Sequence, residues 1–81
     1  SAKQVKHGKP APDVYLYACE QIGEEPSNCI AVEDSPNGIK AAYAAGCKPV
    51  MVPDLTQPDE EIQPLLYAVV DSLVEIRRLI D

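Results

Sequence analysis

Two short stretches hold most of the side chains able to do chemistry. In Glu33-Asp34-Ser35-Pro36-Asn37-Gly38, two adjacent carboxylates close an apolar run and precede a helix start; in His7-Gly8-Lys9-Pro10-Ala11-Pro12-Asp13, a lysine stands between a glycine and two prolines. Adjacent carboxylates repel each other, and a divalent cation relieves that. Few oxygen ligands completed by water and a phosphate are what Mg2+ prefers. A lysine fixed by a restricted backbone neutralises a phosphoryl oxygen as a point charge. Plainer duties compete for the same residues. Asp34 would cap the next helix while Glu33 stays a solvated strand-end charge, and Lys9 is one of five lysines. His7, the sole histidine, adjoins Gly8-Lys9 and could transfer protons or touch substrate. Asn37-Gly38 reads as helix-entry chemistry that lets the backbone come close to the sheet or a ligand.

Charge placement agrees with an anion held between the two stretches. The net charge is -6, yet residues 1–9 carry Lys3, Lys6 and Lys9 and no acid, so the basic opening faces a strongly acidic remainder. A nucleic-acid surface does not fit that balance. A calcium loop is excluded too, because Asp34-Ser35-Pro36-Asn37-Gly38 puts Pro and Gly at the third and fifth positions, where ligands are needed. No G-x-S-x-G, Walker A or G-x-G-x-x-G motif occurs. Apolar runs are far shorter than the ~18 residues that cross a bilayer, and the opening residues do not resemble a signal peptide. The three cysteines, Cys19, Cys29 and Cys47, show no metal-ligand spacing and cannot all pair. They read as small buried hydrophobes of a reducing, cytoplasmic protein.

The elements that must position these residues follow from Pro, Gly and the apolar pattern. Pro12 and Asp13 open a helix that Gly23 stops, with Val14, Leu16, Tyr17 and Ile22 as its apolar contacts. Cys29 to Val32 is a short continuous apolar run, expected to be a strand buried on both faces of a parallel sheet. Ser35 or Asp34 caps a second helix with Pro36 in its first turn, ending at Gly46. Residues 48–53 form a second strand, with Pro49 acceptable only at its first residue or on an edge. A polar stretch to Pro64 holds one or two helical turns. Residues 67–70 form a third strand, and Ser72-Leu73-Val74-Glu75 is a capping box for a last helix. The order αβαββα indicates an α/β fold, a partial Rossmann-like parallel sheet of about three strands flanked by helices. In such sheets ligands bind beyond the carboxyl ends of the strands, where Glu33 and Asp34 fall.

Gly8-Lys9-Pro10-Ala11-Pro12-Asp13 and Glu33-Asp34-Ser35-Pro36-Asn37-Gly38, one helix and one strand apart, resemble the third and fourth motifs of the haloacid dehalogenase (HAD) superfamily. The resemblance is to its beta-phosphoglucomutase-like and phosphoglycolate phosphatase-like branch, and Ala44-Ala45-Gly46 and Val70-Asp71-Ser72-Leu73 extend it. It implies that Lys9 holds the phosphate and the nucleophile, that Glu33 and Asp34 anchor Mg2+, and that the reaction is phosphoryl transfer through an aspartyl-phosphate. The family's first motif, an Asp-x-Asp pair, has no counterpart in the 81 residues, nor has its helical cap. The chain is therefore expected to be the carboxyl-terminal part of a HAD core domain, residues 1–81, inactive by itself. The expected parent is a Mg2+-dependent phosphatase of a small phosphate ester, with a phosphomutase as the alternative. A second alternative is a non-catalytic stand-alone interaction module. The strand edge left bare by a missing amino-terminal part would invite self-association.

Overall fold

Prolines and glycines set the helix ends. The computed structural model describes residues 6–52 and 58–70. Helix α1 spans Asp13–Ile22, with Pro12 at its N-cap, and leaves the helical path at Gly23, whose φ of 70° is left-handed and carries little cost without a Cβ. Helix α2 spans Pro36–Ala45; the Ser35 hydroxyl accepts from the Gly38 N–H at 3.1 Å, and Gly46 at φ 92° ends it in the same manner. Of the two caps allowed by the sequence, Ser35 is the one used.

Three parallel strands follow in spatial order: β1 (Ile30–Glu33), β2 (Lys48–Met51) and β3 (Ala68–Val69). Ile30 pairs with Lys48 and Glu33 with Met51, while Val50 pairs with Ala68. Single 3-10 turns at Pro26–Asn28 and Gln63–Leu65 lead toward β1 and β3. This is a partial Rossmann-like α/β fold. The last expected helix and Asp71 lie outside the described residues.

Two apolar clusters hold the layers together. Cys19, Ala31, Ala42, Ala45 and Cys47 join α1, β1 and α2. Small side chains there let the helices lie close to the sheet. Ile39, Met51 and Ile62, with Leu65 and Leu66 beside them, join α2, β2 and the turn before β3.

Several expectations are corrected. Strand β1 starts at Ile30, because Cys29 closes the 3-10 turn. It is not covered on both faces: Ala31 is buried but Val32 is 41% exposed. In the described sheet β1 is an edge with nothing beyond it. Leu16 and Ile22 do not face the core, being exposed, and Cys19 is the buried residue of α1. Pro49 lies in the middle strand, neither at its first residue nor on an edge. Lys48 donates to the Cys29 carbonyl on one side, whereas the Pro49 carbonyl accepts from Tyr67 on the other, at 2.7 Å. The missing Pro49 N–H thus faces the β3 side before the paired stretch begins, and no ladder bond is lost.

Candidate functional site

Strand β1 delivers Glu33 as its last residue, and α2 begins two residues later, so the carboxylate emerges where a strand end meets a helix start. Two neighbours hold it. Lys9 Nζ donates to Glu33 Oε2 at 2.9 Å, and the Tyr15 hydroxyl hydrogen-bonds the same oxygen. The Glu33 side chain is only 11% exposed against 41% for that of Lys9, so the pair is sheltered from the carboxylate side. Lys9 Nζ also lies 5.7 Å from the centroid of the Tyr15 ring, within cation–π reach. Residues 24 positions apart in the chain are thereby brought together, as the two motifs require.

Gly38 completes the cradle. A Cβ built there would meet the Glu33 carboxylate, so the side chain of Glu33 occupies the space that glycine leaves open. The φ of Gly38 is not left-handed; the requirement is for room. The expected close backbone approach is real, and what approaches is the carboxylate.

The other expected residues stand around this centre. The His7 amide donates to Asp13 Oδ2 at 3.0 Å, and its ring Nδ1 lies 3.4 Å from the same oxygen. His7 is thus tied to the first residue of α1 and is not directed at Glu33. Gly8 shapes the loop, its carbonyl accepting from the Ala11 N–H at 3.0 Å. Asp34 and Asn37 are exposed at the entry to α2. Tyr15 was not singled out by the sequence; its spacing is that of an ordinary helix residue, and only the fold shows that its hydroxyl reaches β1.

No group of three or more His, Cys, Asp or Glu is arranged to hold a metal among the described residues. Glu33 and Asp34 do offer two hard oxygen donors on consecutive residues at a strand end. These suit Mg2+, which takes one or two carboxylates and completes its shell with water and phosphate.

The opposite ends of the strands are apolar. Cys19 Sγ lies 3.6 Å from Cys29 Sγ and 3.9 Å from Cys47 Sγ, and all three are free thiols. Burial pushes the Cys19 and Cys47 thiols above their ordinary value, and the contact with Cys19 does the same for Cys29. Cys19 and Cys47 are the buried hydrophobes expected; Cys29 is only half-buried.

Comparison with known proteins gives a consistent set. The haloacid dehalogenase-like hydrolase family profile matches residues 1–46. A probable pseudouridine-5'-phosphatase of Drosophila melanogaster is 54% identical over 56 residues, covering 67% of this chain and 24% of that protein. A bifunctional riboflavin kinase/FMN phosphatase of Arabidopsis thaliana is 38% identical over 78 residues, covering 91% of the chain and 19% of the relative. Among solved structures, CbbY of Rhodobacter sphaeroides in complex with phosphate superposes with a TM-score of 0.77 at 32% identity, covering 91% of this chain and 32% of that one. The chain spans about a quarter of the length of the Drosophila relative and about a fifth of the Arabidopsis one.

Proposed function

The chain belongs to the haloacid dehalogenase-like hydrolases, and we propose that it supplies the phosphate-holding and Mg2+-holding half of a cytoplasmic phosphatase for a small phosphorylated metabolite. The observation that carries this reading is the Lys9–Glu33 pair at the carboxyl end of β1, with Asp34 beside it. A phosphatase is favoured over a phosphomutase because the two relatives above are named for phosphate release, from pseudouridine 5'-phosphate and from FMN.

In this reading Lys9 binds and neutralises a non-bridging phosphoryl oxygen while Glu33 keeps the ammonium in place when substrate is absent. Bound at Glu33 and Asp34, Mg2+ would supply charge neutralisation for the phosphoryl group. The nucleophile is a carboxylate from outside these residues. It forms the aspartyl-phosphate as the phosphorus–ester oxygen bond breaks and the alcohol leaves, and water then cleaves the acyl phosphate to aspartate and inorganic phosphate. The bare β1 edge, with Val32 exposed, fits a further strand that carries that nucleophile.

The 81 residues alone are then inactive, since the Asp-x-Asp pair that would accept the phosphoryl group does not occur in them. Phosphate release from a panel of phosphomonoesters, with Mg2+ or with chelator, tests this on the isolated chain and on a protein that also carries the Asp-x-Asp strand and cap. Activity is expected in the second only, lost with chelator and on Asp34→Ala. Mg2+-dependent turnover by the isolated chain that disappears on Asp34→Ala would refute the half-site reading. The same bare edge favours self-pairing of the isolated chain, which sedimentation would show as a dimer or larger species.

A further inference from the structure

We infer that Tyr15 is the positioning residue of the site, fixing Glu33 through its hydroxyl and Lys9 through its ring. This rests on the proposed phosphatase reading and assigns within it a role that neither motif contains.

Tyr15 is the third residue of α1 and half-buried. It packs on the apolar cluster built around Cys19, so its ring is anchored from below. Its upper edge meets the two charged groups of the site at once: the hydroxyl bonds Glu33 Oε2, and the ring lies 5.7 Å from Lys9 Nζ. Glu33 Oε2 therefore has two donors, Tyr15 and Lys9, while Oε1 lies over Gly38. A carboxylate that receives two donors on one oxygen and lies against Gly38 with the other has less freedom than a solvated one. The entropy of ordering a glutamate is spent in folding instead of in binding. Phenylalanine would nearly fill the same volume and keep a ring under Lys9 but would leave Glu33 Oε2 with Lys9 as its one remaining donor of the two, so the hydroxyl is the part that acts on the carboxylate. Partners that orient a metal-ligating carboxylate are worth roughly 10–100-fold in metal affinity.

The test uses a protein carrying the Asp-x-Asp strand and cap together with this chain, and two variants. Tyr15→Phe keeps the ring and removes only the hydroxyl. Tyr15→Leu removes the ring as well. Mg2+ affinity is read by calorimetry without substrate, orthophosphate affinity by competition, and melting temperature controls for folding. Tyr15→Phe is expected to weaken Mg2+ binding about tenfold and to leave orthophosphate affinity within about twofold. Tyr15→Leu is expected to weaken both. Tyr15→Phe with wild-type Mg2+ affinity overturns the inference, as does a loss of orthophosphate affinity equal to the loss of Mg2+ affinity, because that pattern means general damage. A wild-type protein that binds no Mg2+ and releases no phosphate overturns the functional reading, and this inference with it. Wild-type protein that does both, beside an unaffected Tyr15→Phe, removes Tyr15 alone.

Discussion

Helix α1 and strand β1 each serve two unlike ends of the molecule. At one end, Lys9, Tyr15 and Glu33 meet in a charged, hydrogen-bonded set over Gly38. At the other, Cys19, Cys29 and Cys47 meet among alanines, with thiols held in their neutral form. The charged end depends on direction: Glu33 Oε2 must meet both the Lys9 ammonium and the Tyr15 hydroxyl, and the rest of the carboxylate must fit over Gly38. The thiol end depends on volume and on staying apolar. Substitutions at the first should cost function more than stability, and at the second stability more than function.

The largest effect is expected at Lys9. Lys9→Gln in a protein carrying the whole site should lower kcat/KM for a phosphomonoester by about 10²–10³-fold, as loss of one preorganised charge-stabilising donor does elsewhere, with melting temperature almost unchanged. A melting shift comparable with that of a core variant would erase the contrast between the two ends. Gly38→Ala sharpens it further. Alanine suits a helix better than glycine by about 1 kcal/mol, but the atoms it meets belong to the Glu33 side chain, which would have to give up its bonds with Lys9 and Tyr15 to make room. In a protein carrying the whole site, stability in urea unfolding should change by less than about 1 kcal/mol, the helix gain and the lost bonds opposing each other, while turnover falls at least tenfold.

Ser35→Ala removes the cap of α2 and should cost about 1 kcal/mol in the same unfolding experiment. For the thiols the sign follows from linkage. Cys19 and Cys47 have folded pKa values raised by burial above their ordinary 9.0, so the folded state keeps protons that the unfolded chain releases. Their contribution is fully present below pH 9 and is lost as pH rises beyond it. Urea midpoints should fall between pH 8 and pH 10, and Cys19→Ala/Cys47→Ala should flatten that slope. The smallest effect belongs to the Lys40–Glu61 pair at 2.7 Å, in which Glu61 is 68% exposed. Lys40→Ala should change stability by less than about 1 kcal/mol.

The meeting of Lys9 and Glu33 was easier to read from the sequence than the packing around it. Lys9 and Glu33 were legible because restricted loops and strand ends announce themselves in Pro, Gly and apolar runs. Tyr15 was not, since an aromatic in a helix looks alike whether its hydroxyl faces solvent or a strand whose partner residue lies 18 positions on. The facing of α1 failed for a related reason. Leu16 and Ile22 satisfy a helical apolar pattern, yet α1 meets its neighbours through Tyr15 and Cys19, and burial is decided by that contact. Pro49 shows a rule giving way to local geometry, because a missing donor matters only where an acceptor awaits it.

The register of β1 against β2, with Glu33 opposite Met51, reaches further than pairing. Side chains alternate along a strand, so a slip by one residue would carry Glu33 to the far face, away from Lys9 and Gly38. A chain misaligned in this way could keep its helices and much of its hydrogen bonding and still have no site. The Lys9–Glu33 contact therefore acts as a proof-reader of strand alignment, reporting an error of a single residue that circular dichroism would pass.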